Sequence, residues 1–175
     1  MPVILECEGN YNNMRGGDPK LPMCPTCKVF FDPYRSGFPG RVKSKYDISI
    51  TSEHMHLASP RLKEFLDETC TSPIEYFETG GGYFVLRPKR EIVLDMRGFM
   101  IDGTALCKTC GEPNGVYSDI QGEVKILAGR QPVGPLEMVR SRQRFGERRQ
   151  RDFLIIIGDQ LAESLCRGKF TGLSI

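Results

Sequence analysis

The sequence predicts an α+β fold with a mostly antiparallel sheet and two or three short helices. Three observations lead to this prediction: several short apolar or alternating segments, two short segments with helical spacing, and many turn residues, with 19 Gly and 12 Pro in 175 residues. Apolar residues make up 39% of the chain, which is enough for a packed core. The length fits one domain, so we expect residues 1–175 to form a single domain.

The predicted strands are short and are separated by turn residues. Residues 87–90 are expected to join two of them as a hairpin. The apolar run at 153–157 is the longest in the chain and has the length of a buried strand, far short of the roughly 18–20 residues of a membrane helix. We therefore expect no membrane association. Strands are predicted over residues 1–8, 46–51, 74–77, 83–86, 91–94, 123–127 and 153–157.

Two helices are predicted from local signals. Ser59 followed by Pro60 is typical of a helix start, with Ser as the N-cap and Pro in the first turn, and the helix is expected to span residues 60–69. A second helix is expected near residues 160–167. At an offset of 99 residues the two segments align, and each half of the chain has one cysteine pair upstream of its strand–helix unit.

This weak internal repeat predicts two related half-modules, approximately 1–80 and 81–175. Chance similarity over so short a stretch is the alternative. A metal ion shared by the two halves would explain why the cysteine pairs lie so far apart in the chain.

Four of the seven cysteines form two C-x-x-C pairs, Cys24 with Cys27 and Cys107 with Cys110. An odd cysteine count without a recognisable signal peptide argues against a disulfide framework and predicts a reducing, cytoplasmic environment. Two such pairs indicate one tetrahedral, structural zinc site with four thiolate ligands. The tight turn of each motif is favoured by a residue that can adopt a positive φ directly after the second cysteine. Gly111 fits this position in the second pair, whereas the first pair has Lys28.

Two alternatives to zinc remain for these cysteines. The first pair could be a redox dithiol, giving a thiol-disulfide oxidoreductase, although its Pro- and Gly-rich flanks do not fit the helix that such a motif opens. The four thiols could also be buried without a metal. The isolated Cys7, Cys70 and Cys166 are predicted to be small core residues.

Catalytic chemistry has weak support in the sequence. His54 and His56 could chelate a metal or supply a base, but we expect a solvated loop between strand and helix at this position. No set of nucleophile, base and oxyanion donor can be named, which predicts a non-enzymatic protein.

The strongest charge feature is an arginine-rich segment at residues 140–151. It predicts a docking surface for an acidic protein partner or, less strongly, for nucleic acid, because Arg binds carboxylates and phosphates well. The alternative is a solvated surface loop or edge, and the net charge of +2 does not indicate a general polyanion binder. The candidate binding residues are Arg140, Arg142, Arg144, Arg148, Arg149 and Arg151.

The paired C-x-x-C motifs at 24–27 and 107–110, each upstream of a strand–helix unit, resemble those of the double-CXXCG motif proteins, uncharacterised bacterial proteins best known from myxobacteria. The C-terminal segment 153–173 is similar to the ends of some immunity proteins of polymorphic toxin systems. Lys28 departs from the glycine of the family pattern. The resemblance implies a metal-clipped, non-enzymatic bacterial protein that binds another protein, such as a toxin.

Overall fold

The computed structural model describes residues 1–10, 23–31, 34, 45–95, 107–111, 115–116, 132–147 and 152–174. The predicted strand at 123–127 lies outside these residues. The two helices found in the described ranges are too short and too polar to cross a membrane. The elements are β1 (Val3–Ile4), β2 (Glu6–Cys7), β3 (Ile48–Ile50), β4 (His56–Ala58), α1 (Pro60–Thr69), β5 (Ile74–Glu78), β6 (Phe84–Pro88), β7 (Glu91–Ile92), β8 (Gly115–Val116), β9 (Met138–Glu147), β10 (Asp152–Ile157), α2 (Asp159–Arg167) and β11 (Leu173–Ser174).

The strands form three sheets. A five-stranded sheet has the order β1-β10-β9-β7, with β8 also paired to β9, and a four-stranded sheet has the order β3-β4-β6-β5. A two-stranded sheet pairs β2 with β11, and β1 pairs with β10 in the five-stranded sheet. The first two strands of the chain are therefore hydrogen-bonded to two of its last strands. Among the described pairs of strands only β7 with β9 is parallel, and one isolated parallel bridge joins Gly9 to Ile50. The predicted α+β class with mostly antiparallel strands is therefore confirmed.

The predicted hairpin around residues 87–90 is wrong. Strand β6 pairs with β5 on one side and with β4 on the other, so β7 pairs with β9 in the other sheet instead. The hairpin turn lies at residues 79–83, where Thr79 N–H donates to the Tyr83 carbonyl at 2.9 Å and Gly82 takes a φ of 78°. The glycine-rich segment therefore forms the hairpin turn between β5 and β6. The hairpin predicted from the sequence was placed one turn later, between β6 and β7.

Both predicted helices are present. Helix α1 spans the predicted residues, and the Ser59 hydroxyl accepts the Leu62 N–H at 3.2 Å while donating to Asp47 at 2.9 Å. Helix α2 begins at Asp159, so the two helices start 99 positions apart, each between two strands. The division into related half-modules stays a prediction.

One large core joins the two main sheets and the helices. Helix α1 contributes Leu62 and Leu66, and α2 contributes Leu161 and Leu165, all at most 2% exposed. A second, smaller cluster lies around β7, β9 and β10 and includes Phe145. Burial of these side chains supplies most of the driving force that holds the sheets in place.

Gly172 lies where the two-stranded sheet crosses the start of β3. Its φ is 85°, its carbonyl accepts the Glu8 N–H at 2.9 Å, and a Cβ placed on it would lie 2.1 Å from the Ile48 carbonyl oxygen. Only a residue without a side chain fits this crossing.

We expect Gly172→Ala to destabilise the fold more than Gly82→Ala. Both positions have left-handed backbone, which costs an alanine about 1–2 kcal/mol, but a Cβ at Gly82 meets no described atom within 4 Å. The clash with Ile48 adds at least about 1 kcal/mol at Gly172. Urea denaturation of the two variants measures the difference, and equal losses would contradict the close approach.

Candidate metal centre

The two cysteine pairs lie on similar tight turns. In the N-terminal cysteine turn (residues 24–27) the Lys28 N–H donates to the Cys24 carbonyl at 3.0 Å, and in the central cysteine turn (residues 107–110) the Gly111 N–H donates to the Cys107 carbonyl at 2.8 Å. Lys28 and Gly111 have φ values of 63° and 73°. The position after the second cysteine is therefore left-handed in both turns, even where the residue is a lysine.

The four sulfurs of these turns lie together, with every pair within 4.8 Å. The Sγ atoms of Cys24 and Cys107 are 3.7 Å apart, and those of Cys27 and Cys110 are 3.4 Å apart. All four thiols are free, since a disulfide would need about 2.05 Å. A tetrahedron with metal–sulfur bonds of about 2.3 Å has sulfurs about 3.8 Å apart. The cluster can therefore hold one metal ion, and the predicted convergence is confirmed.

The two turns face each other with matching residues opposed. Each cysteine of the pairs above lies against its counterpart 83 positions later, and the hydroxyls of Thr26 and Thr109 are hydrogen-bonded at 2.7 Å across the same gap. Cys24 and Cys107 are buried, whereas the second cysteine of each turn is half-buried. The threonines were not predicted from the sequence, although both occupy the third position of their motif.

Backbone N–H groups stabilise the thiolate form of the two buried sulfurs. Donation from the N–H groups of Cys110 and Thr109 lowers the pKa of Cys107 to about 6. The Cys27 N–H likewise lowers the pKa of Cys24, while burial raises the pKa of Cys27. Two ligands are thus prepared for a cation before it binds, because metal ligation requires deprotonated cysteine.

Side chains of β9 bind the backbone that follows the N-terminal cysteine turn and the backbone of Leu94. The Arg144 guanidinium donates to the carbonyls of Phe30 and Phe31 at 2.7 and 3.0 Å, just after the N-terminal cysteine turn. Gln143 exchanges two hydrogen bonds with the backbone of Leu94, at 3.1 and 2.9 Å. The register of β9 and β10 shifts here, and the Ser141 hydroxyl accepts the Leu154 N–H in place of a regular ladder bond. Such a bulge re-aims the neighbouring side chains.

The arginine-rich segment begins as a strand within the five-stranded sheet rather than as a loop. Arg140 forms an ion pair with Glu91 and lies over the Phe153 ring, and Arg144 binds the carbonyls described above. Arg142 is exposed. The remaining candidates, Arg148, Arg149 and Arg151, lie outside the described residues. The assignment of this segment to a partner surface stays a prediction.

The structure corrects the expected environments of two other residues. His56 is a buried residue of β4, not part of a solvated loop, because β4 pairs with both β3 and β6, and burial lowers the pKa of its imidazole to about 4. His54 is exposed, with a φ of 63° in the turn before β4. Cys166 is exposed on α2, so its assignment to the core is wrong, whereas Cys7 and Cys70 are half-buried.

Comparisons of the chain with protein-family models, with curated proteins and with solved structures give no match. The resemblance to the double-CXXCG motif proteins therefore stays a prediction. Function must be inferred from the residues of the chain itself.

We expect Lys28→Gly to raise the free energy of unfolding by roughly 0.5–1 kcal/mol, because glycine adopts the left-handed conformation without the strain that a Cβ brings. The greater freedom of glycine in the unfolded chain offsets part of the gain. Lys28→Ala is the matched control: it removes the charge and keeps the strain. Urea denaturation compares the variants, and an equal gain for Lys28→Ala would assign the effect to charge.

Proposed function

We propose that the four clustered cysteines bind one structural zinc ion in a non-enzymatic protein that binds another protein. The observation that carries the metal site is the approach of all four sulfurs to within 4.8 Å of one another. Zinc accepts four thiolates in tetrahedral geometry and has no redox chemistry of its own. With four cysteine ligands no coordination position remains for a substrate, which is the arrangement of a structural site.

The ion would clip together two regions that are distant in the chain. The cysteine turns are separated by 79 residues, which contain the whole four-stranded sheet and helix α1. Cross-linking a loop of this length removes about 4.5 kcal/mol of chain entropy from the unfolded state in the standard polymer treatment. Metal binding and folding are therefore expected to be coupled.

Metal analysis of protein purified without chelator tests the zinc site. We expect about one zinc per chain in the wild type and in Cys166→Ser, whose thiol is exposed on α2 and outside the cluster. Cys24→Ser and Cys107→Ser should lose the zinc and unfold at a lower urea concentration. Iron in place of zinc would overturn the assignment of the ion, and absence of any metal from the wild type would favour four metal-free thiols.

Two exposed side chains support a protein-binding role. Phe31 is 51% exposed, and its carbonyl is fixed by Arg144 next to the N-terminal cysteine turn. Arg142 is exposed on β9, from the segment that the sequence analysis assigned to an acidic partner. Aromatic residues and arginine are enriched in protein interfaces. Following the family resemblance, the partner we propose is a bacterial toxin with an acidic surface.

Affinity capture from a bacterial lysate, followed by calorimetry with the isolated partner, tests this role. We expect Phe31→Ala and Arg142→Glu each to weaken the complex at least about tenfold, the usual effect of removing a central contact. Arg167→Glu, which reverses a charge on the exposed face of α2, is the matched control and should leave binding unchanged. Equal capture by all variants would contradict the assignment. Salt-sensitive capture of DNA or RNA would instead favour the nucleic-acid alternative.

A further inference from the structure

The cysteine cluster has an inner and an outer pair of sulfurs. Cys24 and Cys107 form the inner pair and are 0% and 5% exposed. Cys27 and Cys110 form the outer pair and are half-buried. Oxidation of cysteine follows the exposure of the sulfur and its thiolate character, and the ligands of a zinc site are thiolates. A small oxidant that arrives from solvent therefore meets the outer pair first.

The two outer sulfurs come from different turns. Cys27 belongs to the N-terminal cysteine turn and Cys110 to the central one, and their Sγ atoms are 3.4 Å apart. A disulfide bond of about 2.05 Å requires these two atoms to approach by about 1.4 Å more. The hydroxyls of Thr26 and Thr109, hydrogen-bonded at 2.7 Å, join the same two turns independently of a metal. The outer pair is therefore placed for a bond across the turns.

A bond across the turns differs in its effect from a bond within one motif. A disulfide within either C-x-x-C motif would close a loop of only two intervening residues and leave the two turns unlinked. A disulfide between Cys27 and Cys110 would close the segment that contains the four-stranded sheet, as the proposed ion does. The stabilisation from a cross-link rises with the length of the loop that it closes. A cross-turn disulfide would therefore keep the long-range link while it removes two metal ligands.

We propose, on the basis of the zinc site proposed above, that hydrogen peroxide joins Cys27 to Cys110, releases the zinc ion and replaces the metal link between the turns by a disulfide. A structural zinc site is held by four ligands, and the two inner thiolates that remain do not complete such a set. The fold is retained while the metal is lost, so the cluster reports an oxidant through its metal content.

The reaction is a two-electron oxidation of the outer pair. One thiolate attacks an oxygen of hydrogen peroxide, which breaks the O–O bond, forms a cysteine sulfenic acid and releases hydroxide. The second thiolate attacks the sulfenic sulfur, forms the S–S bond and expels a second hydroxide. Two thiolates and one peroxide thus give one disulfide and two hydroxide ions. A thiol reductant reverses the bond by exchange and restores both ligands.

Tryptic mapping of the full-length wild-type protein after peroxide treatment and alkylation tests the pairing. Trypsin leaves both N-terminal cysteines on residues 21–28 and separates the central cysteines onto residues 98–108 and 109–125. We expect residues 21–28 to be linked to 109–125, with fragmentation placing the bond at Cys27, and we expect dithiothreitol to abolish the link. Bonds within the motifs, a link from 21–28 to 98–108 alone, or no link would overturn the proposal.

Release of zinc to a chromogenic chelator during the same treatment tests the connection to the metal. We expect zinc to leave in step with formation of the disulfide, and the oxidised protein to unfold at a higher urea concentration than reduced protein from which a chelator has removed the zinc. Zinc that stays bound after the disulfide forms, or oxidised protein that unfolds at the lower concentration, would overturn the proposal. Protein purified without zinc would overturn the zinc site and with it the release step, while the tryptic map decides the pairing separately.

Cys166→Ser is the matched control, because this thiol is exposed on α2 and lies outside the cluster. We expect the variant to form the same link and to release zinc at the rate of the wild type. Loss of either response would assign the oxidation to the exposed thiol and would overturn the role of the outer pair.

Discussion

Four sulfurs from two turns lie within 4.8 Å of one another, and this approach constrains much of the chain. Thiolates that are shielded from bulk water repel one another strongly at such distances. The cluster is therefore stable only if protons or a cation offset the negative charge. Backbone donors already lower the pKa of Cys107 and Cys24, which shifts that balance toward a cation. The four-stranded sheet lies between the two cysteine turns in the sequence. An ion bound by both turns would therefore fix the two ends of the chain segment that forms this sheet.

The cysteine turns are not the only link between distant parts of the chain. Strands β1 and β2 pair with β10 and β11, so both termini are held by backbone ladders. Strand β9 adds a third link, because Gln143 is hydrogen-bonded to the backbone of Leu94 and Arg144 donates to the carbonyls of Phe30 and Phe31. The geometry of the turns therefore depends on the five-stranded sheet as well as on the ligands themselves.

The sequence predicted those features whose causes are local. Helix α1 follows from Ser59 and Pro60, and the cysteine cluster follows from motif spacing. Strand pairing is a tertiary property: nothing in residues 87–90 shows that β6 already has two neighbours, so the hairpin was misplaced. Strand β9 was missed because its arginines make a partly buried strand resemble a polar segment. Their interactions with Glu91 and with backbone carbonyls become evident only in the fold. His56 was misplaced for the same reason, since its burial depends on two neighbouring strands.

The N-terminal cysteine turn is tied to β9 and β10 by two contacts. Arg144 of β9 donates to the backbone that follows the turn. Tyr34, which follows the same turn in sequence, donates to Asp152 and stacks on Phe153, both residues of β10. One contact is made to the backbone and the other to a buried carboxylate, so the turn and the five-stranded sheet constrain each other at two points. Because protein interiors are close-packed, we expect a displacement of the turn to shift both strands rather than to be absorbed locally.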